Sequence, residues 1–143
     1  IFISKLSDSK TTRKMYEFLR NSKKPHLENL SKEKRPWGEY ESLLEEKILK
    51  VKKIIVMPGE KLSLQYHYKR EEHWVITSGK GVFTKNNRKK KVKKGDYLFI
   101  RKKDIHSIEN TQKTDSLEFV EVQLGKYLGE DDIVRLKDKY GRE

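Results

Sequence analysis

Short apolar runs separated by regular turn signals constrain the fold of this chain more than any other feature of its sequence. The runs occupy residues 51–57, 63–67, 73–77, 81–85, 97–101 and 117–123. Turn-forming pairs follow or separate them, at Pro58-Gly59, Ser78-Gly79, Asn86-Asn87, Lys94-Gly95 and Lys103-Asp104. Many short strands joined by such turns are typical of a β-sandwich or barrel. We therefore predict an all-β barrel from about Trp37 to Leu124, with short helices only at its two ends.

The two ends of the chain differ from its middle in composition and in the spacing of their apolar residues. Residues 1–34 are rich in Lys, Ser and Asn, and the helical spacing of Met15, Phe18 and Leu19 predicts one helix there. We interpret 1–34 as a connector or helical arm and 35–143 as the domain. Near the C-terminus, three acidic residues at 130–132 precede an apolar stretch. Because acidic residues stabilise a helix start, we expect a short helix over about 131–139.

Length and composition narrow the classes of protein and of metal site. The 143 residues suit one domain that buries its own core. The chain has no cysteine, so disulfides and thiolate metal sites are excluded, and any metal must be held by His, carboxylate or amide groups. No apolar stretch is long enough to span a bilayer. We expect a cytoplasmic protein without a membrane partner.

The positive charge raises the question of a nucleic-acid partner. Lys and Arg total 34 against 22 Asp and Glu, a net charge of +12. The most basic run, 88–94, lies between two predicted strands and follows the turn pair Asn86-Asn87. We interpret it as a solvated hairpin, and we disfavour a nucleic-acid binder because the run lacks the interleaved aromatic residues that stack on single strands. A basic surface also suits an anionic small substrate, which it would steer towards the protein.

A row of polar residues in the second predicted strand is the first sign of a functional site. Strand alternation places four polar residues on one face, namely Lys61, Ser63, Gln65 and His67. A polar row that points into a barrel needs a partner, because unpaired buried polar groups are costly. A metal ion is such a partner. Glu72 on the next strand can approach Gln65 and His67 across a hairpin, and His106 begins a later strand.

The spacing of these residues resembles the two motifs of the cupin family. Gly59, Gln65, His67, Glu72 and Gly79 have the spacing of the first motif, with Gln65 where many cupins have a histidine. The second motif matches at Gly95, His106 and Asn110. This chain has Arg101 and Lys103 where the second motif usually has Pro and Gly, a departure that concerns the turn and not the ligand. The resemblance implies a double-stranded β-helix, or jelly-roll, barrel.

Longer segments between residues 35 and 142 resemble the cupin domain of type II mannose-6-phosphate isomerases. The resemblance rests on the segments 35–40, 62–67, 70–74, 121–123, 125–135 and 138–142, read RPWGEY, LSLQYH, REEHW, EVQ, GKYLGEDDIVR and DKYGR. In that family the domain usually follows a mannose-1-phosphate guanylyltransferase domain through a connector, which residues 1–34 resemble. This chain has no Gly-rich nucleotidyltransferase loop and is too short to hold such a domain.

The resemblance also implies a metal site and a reaction. Gln65, His67, Glu72 and His106 resemble the zinc ligands of type I mannose-6-phosphate isomerases. Two imidazoles and two oxygen donors suit one divalent ion, Zn²⁺ above all, and also accept Co²⁺, Mn²⁺ or Fe²⁺. The implied reaction interconverts mannose 6-phosphate and fructose 6-phosphate in the synthesis of GDP-mannose and polysaccharide precursors.

The isomerisation needs a base for the sugar's C2 proton and cations for its phosphate. The candidates for catalytic groups are Glu121, Lys61, His73 and Arg70. The candidates for phosphate binding are Arg70, Arg135 and Arg142, because a guanidinium offers a planar fork that matches phosphate. We favour Arg70 among them, because it lies between two of the candidate ligands. Each of these residues also has a structural interpretation as an ion-pair or rim residue.

Two alternatives to the isomerase remain open from the sequence. One is a non-catalytic, metal-containing cupin that binds a sugar or sugar phosphate, and the other is a nucleic-acid binder that uses the lysine surface. The intact set of four ligands argues against the first alternative. We expect a small-molecule sugar phosphate as the partner, and we leave open a homodimer.

Overall fold

The computed structural model describes residues 31–142, which form eleven strands in two antiparallel sheets. The strands are β1 Lys32–Arg35, β2 Gly38–Glu45, β3 Leu49–Val56, β4 Leu64–His67, β5 Arg70–Ser78, β6 Lys80–Lys85, β7 Arg88–Lys93, β8 Tyr97–Ile100, β9 His106–Glu109, β10 Leu117–Gly125 and β11 Ile133–Lys137. One sheet has the order β1-β2-β3-β10-β5-β8, and the other has the order β11-β4-β9-β6-β7. The predicted all-β barrel is confirmed. Within the described range, no helix is long and apolar enough to cross a membrane.

The barrel interior is apolar at one end and polar at the other. On β10 the buried residues run from Leu117 and Phe119 to Glu121 and Gln123. The neighbouring strands β3 and β5 are antiparallel to β10. Their inward side chains change from apolar to polar at the same level as those of β10. Phe119 is paired with Ile54 and Ile76, whereas Glu121 is paired with Lys52 and Gln123 with Glu72. The sheet register therefore gathers the polar side chains of three strands above one apolar core.

The start of the described chain is a strand at the sheet edge. β1 begins at Lys32, within the stretch interpreted as a connector, and pairs with β2 from Lys32 opposite Glu41 to Arg35 opposite Gly38. The helix predicted from Met15, Phe18 and Leu19 lies outside the described residues.

The predicted C-terminal helix over about 131–139 is wrong. Residues Glu130–Asp132 form a single 3₁₀ turn, and Ile133–Lys137 form β11, which pairs with β4. The Asp132 carboxylate accepts the backbone N–H groups of Tyr68 and Lys69, so it anchors a loop of the barrel instead of capping a helix. The β-branched Ile133 and Val134 favour a strand, and the free edge of β4 gives that strand its backbone partners.

The turn before β9 keeps its shape without the glycine of the usual motif. Lys103 has a φ of 66°, in the left-handed region that glycine adopts without strain. Its N–H donates to the His67 carbonyl over 2.7 Å, and the Asp104 N–H donates to the Arg101 carbonyl over 3.1 Å. The departure from the motif therefore raises the conformational free energy of the turn. The hydrogen bond from the turn to the strand that carries His67 is still made.

We predict that Lys103→Gly raises the free energy of unfolding by up to about 1 kcal/mol, because glycine removes the cost of a left-handed backbone. Chemical denaturation of the parent and the variant measures the change. Lys102→Gly is the matched control, since φ is not positive at that position, and it should be neutral or destabilising. If both glycine variants are destabilised equally, Lys103 is not strained.

Candidate metal centre

Three buried side chains from three strands converge near the middle of the barrel. His67 ends β4, Glu72 lies in β5 and His106 begins β9. One ligand atom from each lies within 4.8 Å of the other two. His67 Nε2 is 3.1 Å from Glu72 Oε1, and His106 Nε2 is 3.5 Å from Glu72 Oε2. The three residues form a group that can hold one metal ion.

Both imidazoles turn an unpaired nitrogen towards this group. The Nε2 atoms of His67 and His106 are buried and have no hydrogen-bond partner. The other ring nitrogens face backbone carbonyls: His67 Nδ1 lies 3.3 Å from the Asp132 oxygen and His106 Nδ1 lies 2.8 Å from the Asp104 oxygen. Since a carbonyl only accepts, each Nδ1 carries a proton, and Nε2 is the nitrogen of each ring that is left to bind a metal. This arrangement is the usual one for histidine ligands, so the residues fit a metal.

The Glu72 carboxylate is fixed in place by two further donors. Arg70 Nε donates to Oε1 over 3.0 Å, and Trp74 Nε1 donates to Oε2 over 3.2 Å. Burial opposes ionisation of Glu72, but without a metal the His106 and His67 rings, when protonated on Nε2, outweigh it and hold its pKa well below the ordinary range. Glu72 therefore supplies a negative charge with restricted motion, as a ligand to a cation requires.

Gln65 lies beside the three residues and lines the same cavity. It pairs with His106 in the register of β4 and β9, and its side chain is 9% exposed. Its Oε1 accepts a hydrogen bond from Ser63 Oγ over 2.6 Å, and a carbonyl oxygen has a second lone pair for a metal. Its role as the fourth ligand stays a prediction.

A second buried carboxylate faces the group from β10. Gln123 Nε2 donates to Glu121 Oε1 over 2.6 Å and reaches Glu72 Oε1 at 3.5 Å, so the amide links the two acids. Burial, followed by the Glu72 charge, raises the pKa of Glu121 to about 8, although Lys52 and Arg70 act in the opposite direction. The surroundings of Glu121 therefore favour its protonated form more than water would.

A small cavity of about 50 Å³, partly open to solvent, lies beside the group. Its lining includes Gln65, Glu72, Glu121, Gln123, Lys52, Glu130, Arg35, Arg70, Arg135 and Arg142. The Lys52 ammonium is 2.5 Å from Glu130 Oε1 and lies 4.3 Å from the centre of the Tyr40 ring. The cavity therefore combines two of the candidate metal ligands, Gln65 and Glu72, with several cations.

The four cavity arginines differ in what they bind. Arg70 is 1% exposed, and it donates to Glu72 and, through Nη1, to the Gly129 carbonyl. Arg142 makes two hydrogen bonds to the Asp138 carboxylate. By contrast, the Nε of Arg135 is buried without a hydrogen-bond partner, and burial and the nearby Arg142 charge lower the pKa of Arg135. Arg135 therefore has an unused donor beside other cations, which is the environment that an anionic ligand would relieve.

Two of the predicted catalytic candidates lie elsewhere. Lys61 lines a different groove, together with Glu109 and Lys139. His73 lies on the outer face of the six-stranded sheet, where its ring stacks on Phe99 with 4.7 Å between centres. Neither residue lines the cavity that contains Glu72 and Glu121.

Lys52 and Asp132 belong to the site, although they were not among the residues predicted for it. Strand alternation offers a signal for Lys52, because it shares a face with the apolar Ile54 and Val56. Asp132 has no comparable signal, since its contacts depend on the pairing of β11 with β4.

Comparisons with known proteins agree with this fold. Residues 21–138 match the family model described as "Mannose-6-phosphate isomerase C-terminal". The chain is 38% identical over its whole length to mannose-1-phosphate guanylyltransferase 2 of Escherichia coli O157:H7, of which it covers 30%. It is 45% identical over 108 residues, 76% of its length, to mannose-1-phosphate guanylyltransferase of Salmonella montevideo, of which it covers 23%. The chain thus spans less than a third of the length of these relatives.

Solved structures with similar folds are cupin barrels. A predicted oxalate decarboxylase from Thermotoga maritima has a TM-score of 0.60 and 30% identity, covering 68% of this chain and 95% of its own. An RmlC-like cupin from Shewanella frigidimarina has a TM-score of 0.62 and 15% identity, covering 73% and 89% of the two chains. The predicted cupin fold is confirmed.

We predict that His67→Ala or His106→Ala removes most of the bound metal, because each change deletes one of the two unpaired imidazole nitrogens. Elemental analysis of the metal-loaded, desalted proteins measures the number of ions per chain. His73→Ala is the matched control, and it should retain the metal content of the parent. The assignment is wrong if both site variants still bind one ion per chain.

Proposed function

This chain belongs to the mannose-6-phosphate isomerase C-terminal family, and we propose that it interconverts mannose 6-phosphate and fructose 6-phosphate with one divalent metal ion. The observation that carries the proposal is the buried group of His67, Glu72 and His106, whose carboxylate lines a cavity that also contains an unpartnered arginine donor. We propose zinc as the ion, because two imidazoles with oxygen donors suit it.

The reaction moves one proton from C2 of the aldose to C1, through an enediol, while a hydroxyl proton moves from O2 to O1. A divalent ion, when bound, polarises the carbonyl and hydroxyl oxygens of the sugar. The protein must then supply a base close to the reacting carbons and must exclude bulk water. The buried polar end of the barrel offers a carboxylate, Glu121, for the role of base.

We assign the base to Glu121. It is 5% exposed, it faces the cavity, and its pKa of about 8 suits a group that takes and returns a proton. Gln123 holds one carboxylate oxygen, so the carboxylate has a fixed orientation. Lys52 keeps a positive charge nearby, which favours the ionised form that accepts the proton.

We assign the phosphate to Arg135, with Arg142 beside it. Arg135 lines the cavity and has the unpaired Nε, whereas Arg142 already binds Asp138. Binding energy from a phosphate that does not react orients the sugar at the metal. Arg70 is also a candidate for the phosphate, but its contacts with Glu72 and Gly129 favour a role in positioning the metal-binding carboxylate.

The relatives named mannose-1-phosphate guanylyltransferase indicate a cellular context for the proposal. An isomerase that makes mannose 6-phosphate supplies the sugar from which GDP-mannose and polysaccharide precursors are built. We place this activity in the cytoplasm, where sugar phosphates are made.

Turnover of mannose 6-phosphate is the direct test. The metal-loaded chain should produce fructose 6-phosphate, the chelated chain should not, and added Zn²⁺, Co²⁺ or Mn²⁺ should restore activity. A coupled assay that detects fructose 6-phosphate measures the rate. If the metal-loaded chain converts no mannose 6-phosphate but still binds it, the non-catalytic sugar-phosphate binder takes the place of the isomerase.

Arg135→Ala should lower kcat/KM for mannose 6-phosphate by about tenfold to a hundredfold, since a hydrogen bond to a charged group contributes roughly 1.5–3 kcal/mol. Metal content should be unchanged. Arg88→Ala removes the same charge from the exposed hairpin and is the control for steering.

The same assay separates Arg70 from Arg135. Arg70→Ala should weaken metal binding as well as activity, because the variant loses the donor that orients Glu72. If Arg70→Ala keeps its metal and loses activity only towards the phosphorylated sugar, Arg70 is the phosphate anchor and our assignment to Arg135 is wrong.

A further inference from the structure

The proposed isomerisation leaves one proton without a carrier. Glu121 takes a proton from C2 and returns it at C1, but a second proton must move from the hydroxyl O2 to O1. Glu121 cannot take that proton while its carboxyl group holds the first one. The second carrier must lie in the same cavity, must have a hydrogen to give and must be able to take one back. This requirement rests on the proposed function.

Most of the polar groups of the cavity fail the requirement. The four arginines do not release a proton, and Glu72 is a candidate metal ligand. Burial raises the pKa of Tyr40, whose hydroxyl accepts a hydrogen bond from Arg35 over 3.3 Å. Burial opposes ionisation of Glu130, but the charge of Lys52 outweighs it and lowers the pKa of Glu130, so this carboxylate has no proton to give. Among the described residues that line the cavity, the group that remains is Lys52.

The sheet register places Lys52 beside Glu121. The two residues are paired across β3 and β10, both are buried and both line the cavity. Residues directly opposite each other in an antiparallel pair have Cβ atoms about 4.5–5.5 Å apart. The ammonium and the carboxylate can therefore reach neighbouring atoms of one bound sugar.

The Lys52 ammonium is held in place without the use of all its hydrogens. Nζ lies 2.5 Å from Glu130 Oε1 and 4.3 Å from the centre of the Tyr40 ring. An ammonium has three N–H donors, and its hydrogen bond within residues 31–142 is to Glu130. A donor is thus left for a ligand in the cavity. Ile54 and Val56 show that apolar side chains fit the same face of β3, and an apolar residue would avoid the cost of a buried charge.

We propose that Lys52 carries the hydroxyl proton from O2 to O1, while Glu121 carries the other proton from C2 to C1. As Glu121 takes the C2 proton, the electrons of the C2–H bond form the double bond between C1 and C2, and the Lys52 ammonium protonates O1. The Lys52 amine then takes the proton of O2 as the carbonyl forms at C2, and Glu121 returns its proton to C1. Both side chains end in their starting protonation states.

Hydrogen exchange at C2 tests this division of roles. The metal-loaded full chain is given mannose 6-phosphate in D₂O, and NMR measures fructose 6-phosphate and the deuterium that enters C2 of the remaining substrate. Lys52→Arg keeps the positive charge beside Glu121 but cannot release a proton. Isomerisation should fall about a hundredfold, and exchange should fall far less, so the ratio of exchange to isomerisation should rise by about tenfold or more. KM and metal content should stay close to those of the parent.

A second variant and a control complete the experiment. The double variant Lys52→Met/Glu130→Gln removes both charges of the ion pair, avoids the larger arginine side chain and should also raise the ratio. Lys53→Met makes the same change at the next residue of β3, where the side chain is 3.1 Å from Glu118 outside the cavity. Its rates and its ratio should equal those of the parent. Circular dichroism establishes that each protein is folded.

The outcomes separate this assignment from the isomerase activity itself. If Lys52 only kept Glu121 ionised, exchange and isomerisation would fall together in the double variant, and a higher pH would restore both. That result, or an unchanged ratio in folded Lys52→Arg, overturns the role of Lys52 and leaves the isomerase intact. If the metal-loaded parent neither isomerises mannose 6-phosphate nor exchanges its C2 hydrogen, the proposed function fails and the role of Lys52 fails with it.

Discussion

The antiparallel register of β10 with β3 and β5 is the constraint on which the site depends. It fixes the level at which the barrel interior changes from apolar to polar: Phe119 lies between Ile54 and Ile76, and one step further along the inner face Glu121 is paired with Lys52. A shift of one residue would turn these side chains to the other face of the sheet. The packing at the apolar end of the barrel interior therefore also positions the charged groups at its polar end.

Buried charges at this level are stable only as a connected set. Glu72 is held by Arg70 and Trp74, Glu121 by Gln123, and Lys52 by Glu130. Removing one member would leave its partner as an unpaired buried charge, which costs more than the pair contributes. The unpaired nitrogens of the two histidines are the exception in this network, and they point at the position where the network can bind a cation.

Local spacing was enough to predict the barrel and the approach of Glu72 to His67, because strand alternation and turn residues determine both, whereas the resemblance to the cupin motifs added His106. Contacts between distant segments were not predictable in this way. The acidic run at 130–132 favours a helix locally, but the free edge of β4 selects a strand for the residues that follow it. In the same way, the guanidinium group of Arg70 made it a candidate for phosphate binding from the sequence. Its burial and its hydrogen bonds to Glu72 and Gly129 depend on the folded structure.

The contact between the Asp132 carbonyl and His67 also bears on how the site assembles during folding. A ribosome delivers all the candidate ligands by residue 106, but the acceptor for the His67 ring and the strand that closes the β4 edge come some 26 residues later. Contacts between segments so far apart in sequence form slowly, because a long loop must close before they contribute. The carbonyl that orients the His67 imidazole therefore comes from a contact that closes a loop of 65 residues, so the geometry of this ligand depends on docking of the C-terminal strand.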